Sequence, residues 1–294
     1  MKVSYLGPVG TFTEMATKAL FPNSERIPYK TIPACIDGVA QKHSDVAIVP
    51  IENTIEGSVN LTIDYLIHKQ RLPIVGTITI PISQQFMMHP DQVRQLKKPT
   101  RIISHPHAIA QCHDFLSKEY SDVDTDYMNS TGEAAKFVAT MKDEPIAAIA
   151  NELAAEVYGL SVVHHNIHDY NNNHTRFVVL ANGVETFKNP TINHNSFKTT
   201  FMITLPADFS GALHQVLSAF AWRKLNLSKI ESRPTKTGLG NYFFLIDVDQ
   251  LADDVLIPGV KSELEALGCG VEILGSYPCF SYQQLKTKKV SPSC

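Results

Sequence analysis

Cysteine is scarce in this chain: five among 294 residues, at Cys35, Cys112, Cys269, Cys279 and Cys294. The number is odd, the spacings are wide and no C-x-x-C occurs, which argues against a disulfide framework or a cysteine zinc site and for reduced thiols. Long apolar runs are lacking. No stretch approaches the ~18 uninterrupted apolar residues of a membrane helix. The opening MKVSYLGPVG has no charged segment leading into an apolar one, so no signal peptide and a cytoplasmic location are expected. A basic excess is lacking too. Lys plus Arg number 26 against 29 Asp plus Glu, for a formal net charge of −3, which argues against nucleic acid as a partner. Twelve histidines are present, with His105 and His107 two apart and His164, His165, His168 and His174 crowded together, yet no H-E-x-x-H or comparable ligand spacing appears, so no metal is expected.

What is present fits a globular enzyme or binding protein. Hydrophobic residues make up 44% and charged residues 19%, too apolar for disorder, and the length suggests about two domains. Up to residue 181, short apolar strands alternate with helical faces. Val3–Leu6 precedes Glu14–Leu20, and Val46–Ile51 precedes Val59, Ile63 and Leu66. Arg101–Ser104 precedes Ile109–Leu116, Thr125–Met128 precedes Ala134–Met141, and Ile146–Ala150 precedes Leu153–Tyr158 with Gly159 as its C′ residue. This repetition predicts an α/β fold with a largely parallel sheet. Long extended segments at Ile74–Met88 and Arg176–Leu180 suit two lobes joined by crossing strands, roughly 1–78 with 168–181, and 79–167. Residues 182–196 read as a linker. Residues 197–277 then show the order βαββαβ, the ferredoxin-like arrangement, and 278–294 read as a tail, polar, basic and frayed over Gln283–Cys294.

Chemistry concentrates in the turns between strands and helices, where open α/β sheets bind ligands. Five are polar: Gly7–Glu14, Pro50–Ser58, Ser104–His107, Asn129–Glu133 and Asn151–Glu152. Thr11 with Glu14, and Ser130 with Glu133, have capping-box spacing. Free amides at helix starts attract anions. None of the turns is a P-loop or a G-x-G-x-x-G fingerprint, so nucleotides are disfavoured. At Asn171–Leu180 a polar turn enters an apolar strand through Thr175, Arg176 and Phe177. This is either an ordinary strand start or a site where Arg176 presents a fork-shaped donor to a carboxylate.

Four segments carry a resemblance: Tyr5–Glu14, Val49–Gly57, Ser104–Cys112 and Asn173–Phe177. In order and together, they resemble bacterial prephenate dehydratases. Gly211-Ala212-Leu213 and Ile230-Glu231-Ser232-Arg233-Pro234 resemble the phenylalanine-binding motifs of the ACT regulatory domain attached to those enzymes. The resemblance runs from about residue 2 to residue 277, with no chorismate mutase segment before it. His107, Thr54 and Ser210 stand where that family commonly has Gln, Ser and Pro.

The resemblance implies a bilobal catalytic domain, like that of periplasmic binding proteins, over residues 1–181 and an ACT domain over 197–277. It implies conversion of prephenate to phenylpyruvate in phenylalanine biosynthesis, with no cofactor. Thr175 would donate a hydrogen bond to the departing hydroxyl. Thr11, Asn53, Ser104, His105, Thr131 and Asn151 would form the substrate cradle, and Phe177 would pack on the ring. Binding the departing carboxylate tightly would oppose decarboxylation, so Arg176 is expected on the pyruvyl carboxylate, which survives into product. Gly211, Ala212, Leu213, Leu227, Glu231 and Ser232 would bind phenylalanine as allosteric effector in a homodimer or homotetramer. The competing reading is a small-anion sensor without catalysis, since fold alone does not decide.

Overall fold

Buried β-branched and small residues build the strands that frame the site. The structure, a computed structural model, describes residues 1–183, 187, 196–207, 209–235, 242–253 and 255–288. These fall into two units: Met1–Arg71 with Ile78–Val178 and the segment from Ser281 on, and Leu72–Thr77 with Val179–Phe280.

The first lobe comprises β1 (Lys2–Leu6), α1 (Phe12–Leu20), β2 (Glu25–Tyr29), α2 (Ile32–Ala40), β3 (Val46–Asn53), β4 (Gly57–Ser58), α3 (Asn60–His68) and β5 (Ile74–Pro81), which belongs to the first unit from Ile78 on. The second comprises β6 (Gln85–Met88), α4 (Pro90–Arg94), β7 (Arg101–Ser104), α5 (Pro106–Ala110), α6 (His113–Glu119), β8 (Asp124–Tyr127), α7 (Thr131–Thr140), β9 (Ile146–Ala150), α8 (Glu152–Tyr158) and β10 (Ser161–His164). The chain then returns as β11 (His174–Ala181). The first sheet has the order β5-β11-β3-β1-β2, and the second β10-β6-β9-β7-β8. β1 is parallel to β2 and β3, as β7 is to β8 and β9. In β9 all five residues are buried. Ala148 and Ala150 enter one core with Ile103 and Val138, while Ala147 and Ile149 enter another with Phe86 and Ile102. Helices on both faces explain why this strand reads as a continuous apolar run.

The second unit runs β12 (Phe197–Thr204), α9 (Ala212–Ala221), β13 (Leu227–Pro234), β14 (Tyr242–Val248), α10 (Leu256–Ala266) and β15 (Gly270–Ser281). Its strand order is β13-β14-β12-β15, with antiparallel neighbours, which is the βαββαβ arrangement. Phe201, Ile203, Val216, Phe220, Ile246, Val260 and Leu264 form its core. Gly268, at φ +83°, closes the turn after α10.

Some expectations change. The extended run Ile74–Met88 breaks at Ile82–Gln84, where the chain leaves one sheet for the other. The helical face Ile109–Leu116 is two short helices, α5 and α6, parted at Cys112. The frayed tail is corrected: β15 extends to Ser281 and α11 (Tyr282–Lys288) follows. The buried Leu285 lines a cavity of about 240 Å³ with Met15 and Ala19 of α1 and Leu153 of α8. Most of the expected linker, 182–196, lies outside the described residues. Among the described residues no helix is long and apolar enough to cross a membrane.

Candidate active site

The glycine-rich loop between β1 and α1 is fixed from both lobes. Thr11 caps α1: its Oγ1 accepts from the Glu14 amide at 3.3 Å and donates toward the Pro8 carbonyl at 3.0 Å. Glu14 reaches back to accept from the Gly10 amide at 2.6 Å, one residue beyond the N-cap amide that a standard capping box engages. From the second lobe, Asn151 donates to the Gly10 carbonyl at 2.9 Å and the Tyr158 hydroxyl to the Val9 carbonyl at 2.8 Å. Gly10 sits at φ +83°, and a Cβ there would lie 3.1 Å from the Tyr158 ring. A Cβ on Gly132, beside Thr131 at the start of α7, would lie 2.9 Å from the Val9 carbonyl oxygen. Two glycines thus permit the close approach of loop and helices.

The second group gathers around Thr175. Asn53 ends β3, and its Nδ2 donates to Thr175 Oγ1 at 2.9 Å and to Asn173 Oδ1 at 2.9 Å. Its Oδ1 accepts from the amides of Ile55 and Glu56 at 3.0 and 3.1 Å. Both ends of the amide are engaged, so Asn53 positions Thr175 and the following turn. With Asn53 on one lone pair of Oγ1, the Thr175 hydroxyl hydrogen has no acceptor among the described residues.

The third group is on α5 and its flanks. His105 caps α5, its Nδ1 accepting from the His107 amide at 3.3 Å, and the two rings meet edge-on at 4.9 Å. His107 Nδ1 lies 2.7 Å from Glu56 Oε2, and Gln111 Nε2 donates to Glu56 Oε1 at 3.3 Å. Burial, then the neighbouring His107, lowers the pKa of His105. Burial likewise lowers that of His168, whose Nδ1 accepts from the Gln84 amide at 3.4 Å.

Several expected contacts take other roles. Successive side chains in a strand point to opposite faces. Arg176 therefore turns away from Thr175, and its Nη2 pairs with Glu52 at 2.7 Å. Phe177 shares the face of Thr175 but is 2% exposed, a core residue with no ring face for a ligand. Ser104 is wholly buried, and its hydroxyl donates to the Ile149 carbonyl at 2.6 Å, tying β7 to β9. Asn151 is 1% exposed; besides holding Gly10, it caps α8 by accepting from the Ala154 amide. Glu56, Gln111 and Tyr158 were not singled out from the sequence. Glu56 and Gln111 lie within the segments Val49–Gly57 and Ser104–Cys112, but nothing local marks a carboxylate or amide that acts across lobes.

In the second unit, Gly211 precedes α9 at φ +92°. Ala212 is buried, while Leu213 and Ser232 are exposed. Glu231 pairs with Arg233 at 2.8 Å and Lys229 at 3.2 Å. Leu227 packs on the core.

Residues 3–184 match the family described as prephenate dehydratase. The chain belongs to the prephenate dehydratase family. A prephenate dehydratase of Bacillus subtilis (strain 168) is 55% identical over 287 residues, spanning 96% of this chain and 100% of the relative. Arogenate dehydratase 1 of Petunia hybrida is 33% identical, over 95% of this chain and 67% of its own. A prephenate dehydratase from Arthrobacter aurescens, solved in complex with L-Phe, matches with a TM-score of 0.81 and 34% identity, covering 95% of this chain and 90% of that one.

Proposed function

We propose that this chain is a hydro-lyase that converts prephenate to phenylpyruvate, with Thr175 as the donor to the leaving hydroxyl. The bond between the ring carbon and its hydroxyl oxygen breaks. The electron pair of the ring–carboxylate bond moves into the ring as carbon dioxide departs. The hydroxide leaves as water by taking up one proton from solvent. Aromatisation drives the reaction, and the protein's task is to hold a dianion and stabilise the oxygen as it gains charge.

The arrangement of Thr175 carries this reading. Its oxygen accepts from Asn53 at 2.9 Å, which stabilises electron density on that oxygen and makes the hydroxyl a better donor. A threonine is a weak acid, so it acts by hydrogen bonding in the transition state rather than by full proton transfer. Thr11, Thr131 and His105 stand at the starts of α1, α7 and α5, where free helix amides suit an anionic substrate. Asn53, Ser104 and Asn151 position the elements, and Arg176 acts through Glu52 on the far face.

The test is turnover of prephenate, read as phenylpyruvate absorbance. Thr175→Ala is expected to lower kcat by about 10²–10³-fold, with Thr175→Ser retaining most activity. Near-normal turnover by a folded Thr175→Ala protein overturns the assignment.

Phenylalanine acts as feedback effector at the second unit, through Gly211, Ala212, Leu213, Leu227, Glu231 and Ser232. The L-Phe complex of the Arthrobacter relative supports this reading. The exposed Leu213, Trp222 and Ile230 supply apolar surface for pairing with a second copy, as a homodimer or homotetramer. The biosynthetic role fits the cytoplasm.

A further inference from the structure

Glu56 reaches from the first lobe to two donors on the second. His107 Nδ1 lies 2.7 Å from its Oε2, and Gln111 Nε2 lies 3.3 Å from its Oε1. The donors stand at i and i+4, one face of a helical stretch. The carboxylate is thus held by a matched pair, one donor to each oxygen. The turn that carries Glu56 is anchored by Asn53 Oδ1, which accepts the Glu56 amide at 3.1 Å, and Asn53 also holds Thr175. The carboxylate subsite and the reacting hydroxyl therefore share one anchor.

The contact is exchangeable. The side chains of His107 and Glu56 are 60% and 38% exposed, and contacts so open to water are weak. A second carboxylate arriving at the same donors meets little resistance. By contrast, Arg176 faces away from Thr175 and pairs with Glu52.

We propose that Glu56 is a placeholder, its carboxylate occupying on His107 and Gln111 the position that the substrate's pyruvyl carboxylate takes over. This rests on the dehydratase reading above. The pyruvyl group is the right occupant because it survives into product, so binding it stabilises ground state and transition state alike and sets KM rather than kcat. Glu56, displaced, leaves the donors and swings toward solvent.

The experiment compares wild type, Glu56→Gln, His107→Ala and His107→Gln for prephenate turnover, inhibition by phenylpyruvate, and phenylpyruvate binding by calorimetry. His107→Ala should raise KM and the phenylpyruvate Ki together by about tenfold, with kcat within about twofold. His107→Gln keeps a donor and should recover most of that loss. Glu56→Gln removes the competing charge and should lower both constants. An unchanged KM in His107→Ala, a fall in its kcat alone, or a rise in both constants in Glu56→Gln overturns the proposal. If wild type releases no phenylpyruvate, the dehydratase reading fails; calorimetry still decides the subsite, since His107→Ala must weaken phenylpyruvate binding and Glu56→Gln must strengthen it.

Discussion

The setting of Thr175 is fixed by its neighbours in space and in sequence. The Asn53 amide holds its oxygen, and strand alternation sends the adjacent Arg176 to the other face. The sequence displayed the polar mouth of this strand but not the direction of each side chain. Arg176 pairs with Glu52 on one face of the strand, while a second carboxylate, Glu56, meets His107 and Gln111 across the lobes. Titration provides a second test at this scale. Burial depresses the pKa of both His105 and His168 in the fold. Each is therefore neutral when folded at a pH where the unfolded chain already binds a proton. The unfolded state then holds more protons, so stability rises with pH. This stability is present above the unfolded histidine value of about 6.5 and is lost as pH falls through the lower folded values. Tm measured by calorimetry should drop between pH 7 and pH 5, and His168→Asn should flatten that drop.

Between elements, the decisive joint is the loop from β1 to α1, gripped by the starts of α7 and α8. Asn151 serves twice, as cap of α8 and as donor to Gly10. Asn151→Ala should lower stability by about 2–3 kcal/mol, about 1 for the cap and the rest for a buried carbonyl left without its donor. Urea denaturation read by circular dichroism checks this, and a change below about 0.5 kcal/mol contradicts it. The helices on either side were legible because Thr11, Ser130, Asn151 and Gly159 follow local capping rules, and these depend on a few adjacent residues. Elements without such a signal were missed. β2 is a half-exposed edge strand with no apolar alternation. α11 packs by tertiary contact, its Leu285 buried at the end of a polar stretch. The break at Ile82–Gln84 carries only a short polar signal, Ser83-Gln84-Gln85 after Pro81, before apolar residues resume at Phe86, and only the second sheet shows where the strand ends.

For the whole molecule, the division into a catalytic and a ferredoxin-like unit followed from a change in periodicity near residue 197. The proposed regulation by phenylalanine, in contrast, rests on affinity differences between states that no single chain displays. A ligand that binds the folded state alone stabilises it by mass action, about 2.7 kcal/mol at a hundredfold excess over Kd. Phenylalanine should therefore raise Tm in a concentration-dependent way, and tyrosine less; no shift at saturating phenylalanine would remove the regulatory reading. The strand order of the first sheet has one more consequence. β11, the last catalytic strand, lies between β3 and β5. As the chain leaves the ribosome, the second lobe is complete once β10 has emerged, while the first still has an open slot. Synthesis must pass residue 181 before that slot fills, so in the nascent chain the lobe encoded in the middle matures ahead of the one encoded first.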